Sequence, residues 1–257
     1  MYRELVHIWG PFSINTFGLF IALGLIVFTI LVLQDKRARC LVTTEQFLNI
    51  FSIGFIAAIA GGRILYVLTA WQTLATFWDA FAIWTGGFSV LGALLGVLAV
   101  IPWFLRTKNI PILPFLDLVA TYIPLAQSIA RWGCFFAGCC YGMPTSGPFG
   151  MVCPEPLDDR LHGLKLHPTQ LYSSAVLLGI FLILYFIIKP RATKPGQLTC
   201  AYLFLMSIER FAVDFWRADR EFISISSTFS VAQIIAIAIA FGALCILTLI
   251  TCKPPRR

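Results

Sequence analysis

Ile129-Ala130-Arg131-Trp132-Gly133-Cys134-Phe135-Phe136-Ala137-Gly138-Cys139-Cys140-Tyr141-Gly142, continuing through Pro144 and Gly150 to Cys153-Pro154, is the stretch on which the reading of the whole chain turns. An arginine closes a long apolar segment, and glycines, prolines and clustered cysteines follow at once. A cation at the mouth of a membrane helix, beside irregular backbone, is costly unless something uses it. The stretch therefore reads as the place where the chain meets an anion, and a lipid phosphate is the natural one at that depth.

Outward from this stretch the chain is apolar. Of 257 residues, 59% are hydrophobic and 12% charged, and the mean hydropathy is +0.85. Seven apolar runs are visible, each near the roughly 20 residues that cross a bilayer. The expected fold is an all-α polytopic membrane protein with seven transmembrane helices. It forms a single domain over residues 1–257, with outer segments at about 71–85 and 132–166. No internal repeat or low-complexity tract stands out.

The net charge of +7 is not a nucleic-acid footprint. Lys36, Arg37, Arg39, Arg106, Lys108, Lys189, Arg191, Lys194, Lys253, Arg256 and Arg257 fall in the gaps after alternate apolar runs. That pattern places those gaps in the cytoplasm, the N-terminus outside and the C-terminus inside. The number of spans is then odd. The first run lacks a basic start and a small-residue cleavage site, so it reads as a helix rather than a signal peptide.

In chain order, helix 2 is expected from about Gln46 to Ala70, with Gly61-Gly62-Arg63 in its outer half. Arg63 can snorkel to the headgroups. Trp71, Trp78 and Trp84 mark an interfacial segment. Gly92 and Gly96 in helix 3 form a small-xxx-small face for close packing. Helix 4 is expected from Leu116 to Arg131; Asp117 lies four turns, or about 21 Å, from Arg131 and cannot pair with it. Pro168 suits the first turn of helix 5. On helix 6, Arg210, Asp214 and Arg217 fall at i, i+4 and i+7 and are expected to share one face. Asp214 can neutralise one arginine or divide itself between both. Such a gathering of guanidinium groups with Arg131 either fixes helix packing through salt bridges or receives a phosphate.

Taken together, Gly61-Gly62-Arg63, Gly86-Gly87-Phe88-Ser89 with Gly92 and Gly96, Arg131 to Gly142, His167-Pro168-Thr169-Gln170-Leu171-Tyr172, and Arg210 to Arg217 resemble the prolipoprotein diacylglyceryl transferase family. The resemblance covers nearly the whole chain in order, and its specific parts are the Arg131–Gly142 and His167–Tyr172 blocks. It implies a multi-pass enzyme of the bacterial cytoplasmic (inner) membrane. Such an enzyme moves the diacylglyceryl group of phosphatidylglycerol onto the lipobox cysteine thiol of lipoprotein precursors and releases glycerol phosphate. Arg131 matches the arginine that holds the headgroup, Arg210 the second essential arginine, Asp214 a position where many members carry glutamate, and Gly142 the invariant glycine. The catalytic set expected on this basis is Arg131, Arg210 and Asp214. The substrate-binding set is Arg131, Gly142, Arg63, Cys134, His167, Gln170 and Arg217. Membrane lipid and signal-peptide-bearing precursors are the partners, and no cofactor or metal is required.

The chemistry agrees with that assignment. Sulfur attack on the glycerol carbon expels a phosphate ester, and pre-placed cations stabilise the charge growing on the leaving oxygen. The same field lowers the pKa of the incoming thiol. The chain departs from the family pattern at Leu91, where histidine is usual, at Phe17, where tyrosine is usual, and at Cys134 and Cys139, where asparagine and glutamate are common. Either the thiolate forms without a fixed base, aided by Arg131 and Arg210, or His167 or Asp214 takes the proton. An inactive relative is a further reading.

Eight cysteines are present. Cys40, Cys200, Cys245 and Cys252 read as apolar fillers. The outer Cys134, Cys139, Cys140 and Cys153 can staple a loop through disulfides or pack as fillers, though adjacent Cys139 and Cys140 do not bridge each other without strain. Their spacing lacks the paired Cys-x-x-Cys halves of a zinc site. From other function classes, an anion transporter or channel lined by arginine would need features not seen, such as an inverted repeat. A thiol oxidoreductase rests on the outer cysteines alone.

Overall fold

The computed structural model describes residues 4–9, 12–73, 78, 81, 87–153, 161–218, 220, 222–223 and 226–252. Strands β1 (Glu4–Trp9) and β2 (Phe12–Asn15) lead into α1 (Thr16–Gln34), α2 (Lys36–Leu41), α3 (Thr44–Thr69), α4 (Val90–Thr107) and α5 (Ile112–Ala137). Strands β3 (Met151–Val152) and β4 (Lys165–Leu166) pair antiparallel before α6 (Thr169–Leu182), which runs on as a π-helical segment, Ile183–Ile188. Then come α7 (Gln197–Asp214), the antiparallel pair β5 (Phe222–Ile223) and β6 (Ser226–Ser230), and α8 (Val231–Cys252). Most of the segment expected over 71–85, including Trp84, lies outside the described residues, as do Gly86 and the last basic residues.

The seven-span expectation is only partly met. Among the described residues six helices are long and apolar enough to cross a membrane: α1, α3, α4, α5, α6 with its π-helical extension, and α8. The seventh long helix, α7, has 18 residues but carries Glu209, Arg210 and Asp214. Outward-facing large side chains on these helices, such as Leu68 and Phe241, each 71% exposed, fit contact with lipid rather than water. The chain is a multi-pass membrane protein.

The chain divides into two compact units, one of Met1–Trp9, Ser13–Gln34 and Leu116–Arg257, the other of Gly10–Phe12 and Asp35–Phe115. In the second unit α3 starts on a capping box. Thr43 Oγ1 accepts from Gln46 N–H at 3.2 Å, and Gln46 Oε1 accepts from Thr43 N–H at 3.0 Å, so two otherwise orphaned donors are satisfied. Helices α3 and α4 pack backbone to backbone: a Cβ on Gly61 would strike the Gly92 carbonyl, and one on Gly96 the Ala57 carbonyl. The small-xxx-small reading of Gly92 and Gly96 is thus a packing face.

In the first unit, Asp117 Oδ2 accepts from Gly196 N–H at 2.6 Å, and Oδ1 accepts from Thr199 N–H at 2.8 Å and Thr199 Oγ1 at 2.6 Å. A carboxylate over the first turn of α7 satisfies its free donors and faces its positive dipole end. Asp117 therefore has its own task, as the distance argument required. Lys194 Nζ donates to the Ile250 and Thr251 carbonyls at 3.0 and 2.9 Å, closing the other end of α8 by the same logic. Ser128 Oγ donates to the Ser174 carbonyl at 2.8 Å, and Ser174 Oγ to the Ser128 carbonyl at 2.9 Å. This reciprocal pair locks α5 to α6 in an apolar setting where water would not compete.

Candidate functional site

Arg131 does not end its helix. Helix α5 continues six residues further, to Ala137, and Gly133 sits inside it because α1 comes close. A Cβ there would lie 3.0 Å from Phe20 Cβ and 3.1 Å from the Phe17 carbonyl. The terminator is Gly138, at φ +70°. Gly138 N–H bonds to the Phe135 carbonyl at 3.3 Å, and Cys139 N–H to the Cys134 carbonyl at 3.1 Å. These two bonds with a left-handed glycine are a Schellman cap, which brings the side chains on either side of the turn together. Here those side chains are Cys134 and Cys139.

Beyond the cap, Cys140 adopts φ +60°, uncommon for a residue with a Cβ. Helix α6 holds this turn. Thr169 Oγ1 donates to the Cys140 carbonyl and Gln170 Nε2 to the Cys139 carbonyl, each at 2.7 Å. Pro168 is the N-cap of α6 rather than its first helical residue. The chain then runs between two neighbours. Gly142 N–H donates to the His167 carbonyl at 2.8 Å, and Met143 N–H to the Trp216 carbonyl at 2.8 Å. Gly142 and Arg217 form an antiparallel bridge. A Cβ at Gly142 would run into the Trp216 carbonyl and lie 2.7 Å from His167 Cβ. Only glycine fits there.

That pairing corrects the expected helical face. Helix α7 stops at Asp214, and Arg217 lies in the turn beyond it, buried to 8% exposure. Its own N–H donates to the Asp214 carbonyl at 3.2 Å, while its neighbours Trp216 and Ala218 make the bonds to Met143 and Tyr141 that set it opposite Gly142. Asp214, 2% exposed, is shared between two arginines, but they are Arg210 and Arg220, each at 3.4 Å. It also accepts from Ser230 Oγ. Arg220 Nη2 donates to Gln233 Oε1 at 3.0 Å and its guanidinium stacks over Phe215 and Phe222. The helical period gave no sign of Arg220, since it reaches Asp214 across a turn.

Arg131 and Arg217 are both near enough for their positive charge to bear on the Cys140 thiol. The Cys140 thiol is drawn well below the ordinary thiol range, first by hydrogen bonds from Cys134 and Cys139, with Arg217 and Arg131 adding to this against burial. Cys139 is pushed up by its hydrogen bonds with Cys134 and Cys140. All eight cysteines are free thiols. His167 Nδ1 lies 3.2 Å from the Tyr172 hydroxyl. Gln170, 3% exposed, spends its amide on Cys139 while its Oε1 is buried without a hydrogen-bond partner.

In the second unit Arg63 is buried, not snorkelling. Its Nη1 donates to the Gly87 carbonyl at 2.7 Å and its guanidinium lies 5.2 Å from the Tyr66 ring centre. It borders an apolar groove of about 540 Å³ lined by Ile56, Ile59, Ile64, Val67 and Leu68. Leu91, at the start of α4, is 60% exposed.

Apolar helices of spanning length, with guanidinium groups beside a turn clamped by backbone bonds, define a multi-pass membrane protein with a built polar site. A sequence model of the prolipoprotein diacylglyceryl transferase family matches residues 3–249, and the chain belongs to that family. It is 34% identical over 223 residues to the phosphatidylglycerol–prolipoprotein diacylglyceryl transferase of Clostridium tetani, covering 85% of this chain and 86% of that protein. The enzymes of that name from Thermotoga maritima (32% over 254 residues; 96% and 85% covered) and Gloeobacter violaceus (34% over 242 residues; 91% and 88%) are similar to the same extent.

Proposed function

We propose that this chain transfers the diacylglyceryl group of phosphatidylglycerol to the lipobox cysteine of lipoprotein precursors and releases glycerol phosphate. Family membership supports this reading, and one structural observation carries it to particular residues. The Gly142 bridge brings the chain segment of Arg217 to the turn that follows α5, and the charges of Arg217 and Arg131 both bear on Cys140 in that turn. A phosphate at that place meets two permanently charged, planar donors. Arg210 is the second catalytic arginine, oriented by Asp214 at 3.4 Å.

In the reaction the precursor thiolate forms a C–S bond to the terminal glycerol carbon of the diacylglyceryl group. The C–O bond to phosphate breaks, and the electron pair leaves on glycerol phosphate. The guanidinium groups stabilise that leaving oxygen, and the thiol proton goes to solvent or to a nearby base, with His167 and Asp214 the candidates. Gln170 Oε1, buried and unpartnered, suits the hydroxyls of a glycerol headgroup, because a buried acceptor without a donor costs about 1–3 kcal/mol until it is met. Gly142 and Cys134 shape the turn against which the headgroup rests. Arg63 is a further substrate-binding candidate, and within its own unit it borders an apolar groove wide enough for an acyl chain.

The seven-helix topology follows if α7 crosses with its charges turned inward, giving an outer N-terminus and a cytoplasmic C-terminus in the bacterial cytoplasmic membrane. The test is transfer from labelled phosphatidylglycerol to a lipobox peptide by wild type, Arg131→Ala and Arg210→Ala. Loss of one well-aimed donor is expected to slow transfer roughly 100- to 1,000-fold. Near wild-type transfer by Arg131→Ala would overturn the assignment.

A further inference from the structure

We propose that Cys134, Cys139 and Cys140 form a three-thiolate site for a soft metal ion, with monovalent copper as the matching cation. The three Sγ atoms lie within 4.8 Å of one another. A triangle with edges of that length has its centre about 2.8 Å from each corner, and a metal–sulfur bond is about 2.3 Å. For a regular triangle of that size each sulfur closes on the metal by about half an ångström, a small change of side-chain torsion.

The backbone around the thiols is fixed in advance. The Schellman cap at Gly138 sets Cys139 against Cys134, and the left-handed Cys140 turns its side chain back toward both. The bonds from Thr169 and Gln170 to the two cysteine carbonyls hold that arrangement. A linear spacing of Cys-x4-Cys-Cys looks unlike a metal site, but the cap folds the spacing into a triangle. Local strain of the kind seen at Cys140 persists only where surrounding structure enforces it.

The donor set then selects the ion. Among the described residues the cluster contains sulfur alone, with no imidazole or carboxylate. An all-thiolate set favours a soft cation such as Cu(I), whereas carboxylate and carbonyl oxygens favour Mg or Ca. Zinc with three protein ligands needs a fourth from water, while Cu(I) is content with three.

The test uses the full chain, reduced and purified in detergent, with Cu(I) supplied against a chromophoric Cu(I) chelator. The expected result is one copper per protein, falling at least tenfold in the Cys134→Ser/Cys139→Ser/Cys140→Ser variant. Two measurements on wild type stand apart from that variant's folding. X-ray absorption should show copper with three sulfur neighbours, and maleimide labelling of these three cysteines should slow at least tenfold on copper addition while the exposed Cys40 is labelled as before. Copper retained in full by the triple variant, oxygen or nitrogen neighbours in wild type, or labelling unaffected by copper would each overturn the proposal. None of these readouts depends on lipid transfer, so the site and the transferase reading stand or fall separately.

Discussion

Gly142→Ala tests how tightly the turn after α5 is held. The new methyl meets the Trp216 carbonyl, His167 Cβ at 2.7 Å and Thr169 Cγ2 at 2.8 Å. A carbonyl and a Cβ cannot rotate out of the way, so the strand itself must shift. The bond from Gly142 N–H to the His167 carbonyl, now 2.8 Å, then weakens. Over-packing costs about 1–3 kcal/mol, and a weakened buried hydrogen bond adds about 1 kcal/mol. Reduced freedom of the unfolded chain returns about 0.4–1 kcal/mol. The net loss is about 1–4 kcal/mol, or roughly 2–15 °C in Tm for a chain of this size. The shift also displaces Arg217, and misplacing a positioning group by about 1 Å can cost roughly 100-fold in rate. The assay is thermal unfolding in micelles at one scan rate, with initial rates of diacylglyceryl transfer measured on the same preparations. A Tm within about 1 °C of wild type and a rate within about twofold would refute the close contact.

Three further outcomes are expected. Asp117→Ala removes the acceptor of three hydrogen bonds at the start of α7; it should lower stability by about 1–3 kcal/mol, seen as a fall in Tm, while the rate per folded molecule changes little. Arg217→Lys keeps the charge but loses the planar fork, so transfer should fall by roughly 10- to 100-fold with Tm nearly unchanged, checked by the same peptide assay. For His167→Ala, transfer across several pH values should fall by less than about tenfold with the profile keeping its shape, because a general base alone contributes roughly 100- to 10,000-fold; a flattened profile would make His167 the base.

Local signals in the sequence carried most of the fold, and they failed where long-range contacts decided the outcome. The apolar runs place six of the seven long helices at spanning length. Helix 4 is expected to close at Arg131, where glycines, prolines and cysteines follow at once, yet it runs on to Ala137. In the fold Gly133 is a contact point for α1, and Gly138 is the cap. The signal that separates them is local: a glycine whose following residue pairs with one five positions back ends a helix. The placement of Arg217 on the face of Arg210 failed for the opposite reason. Nothing near Arg217 in sequence says that it is set opposite Gly142, 75 residues earlier. The partner of Asp214 was missed likewise, since Arg220 lies past the helix end, where the 3.6-residue period no longer applies.

The same division explains how the site is assembled. Arg131 and Cys134, three residues apart on α5, share a face by helical geometry, and the cap at Gly138 adds Cys139. One short motif thus fixes a guanidinium relative to a thiol pair before any tertiary contact forms. The rest depends on elements distant in the chain: Thr169 and Gln170 pin the carbonyls of Cys140 and Cys139, and Arg217 arrives through the bridge to Gly142. On the proposed reading, a phosphate held by Arg131 alone would be free to swing. If Arg217 holds it as well, as proposed, the phosphate is restricted to one orientation, and in-line displacement by sulfur needs that fixed geometry more than it needs additional charge. This is why Gly142, which touches no reacting atom, is expected to matter as much for transfer as an arginine does.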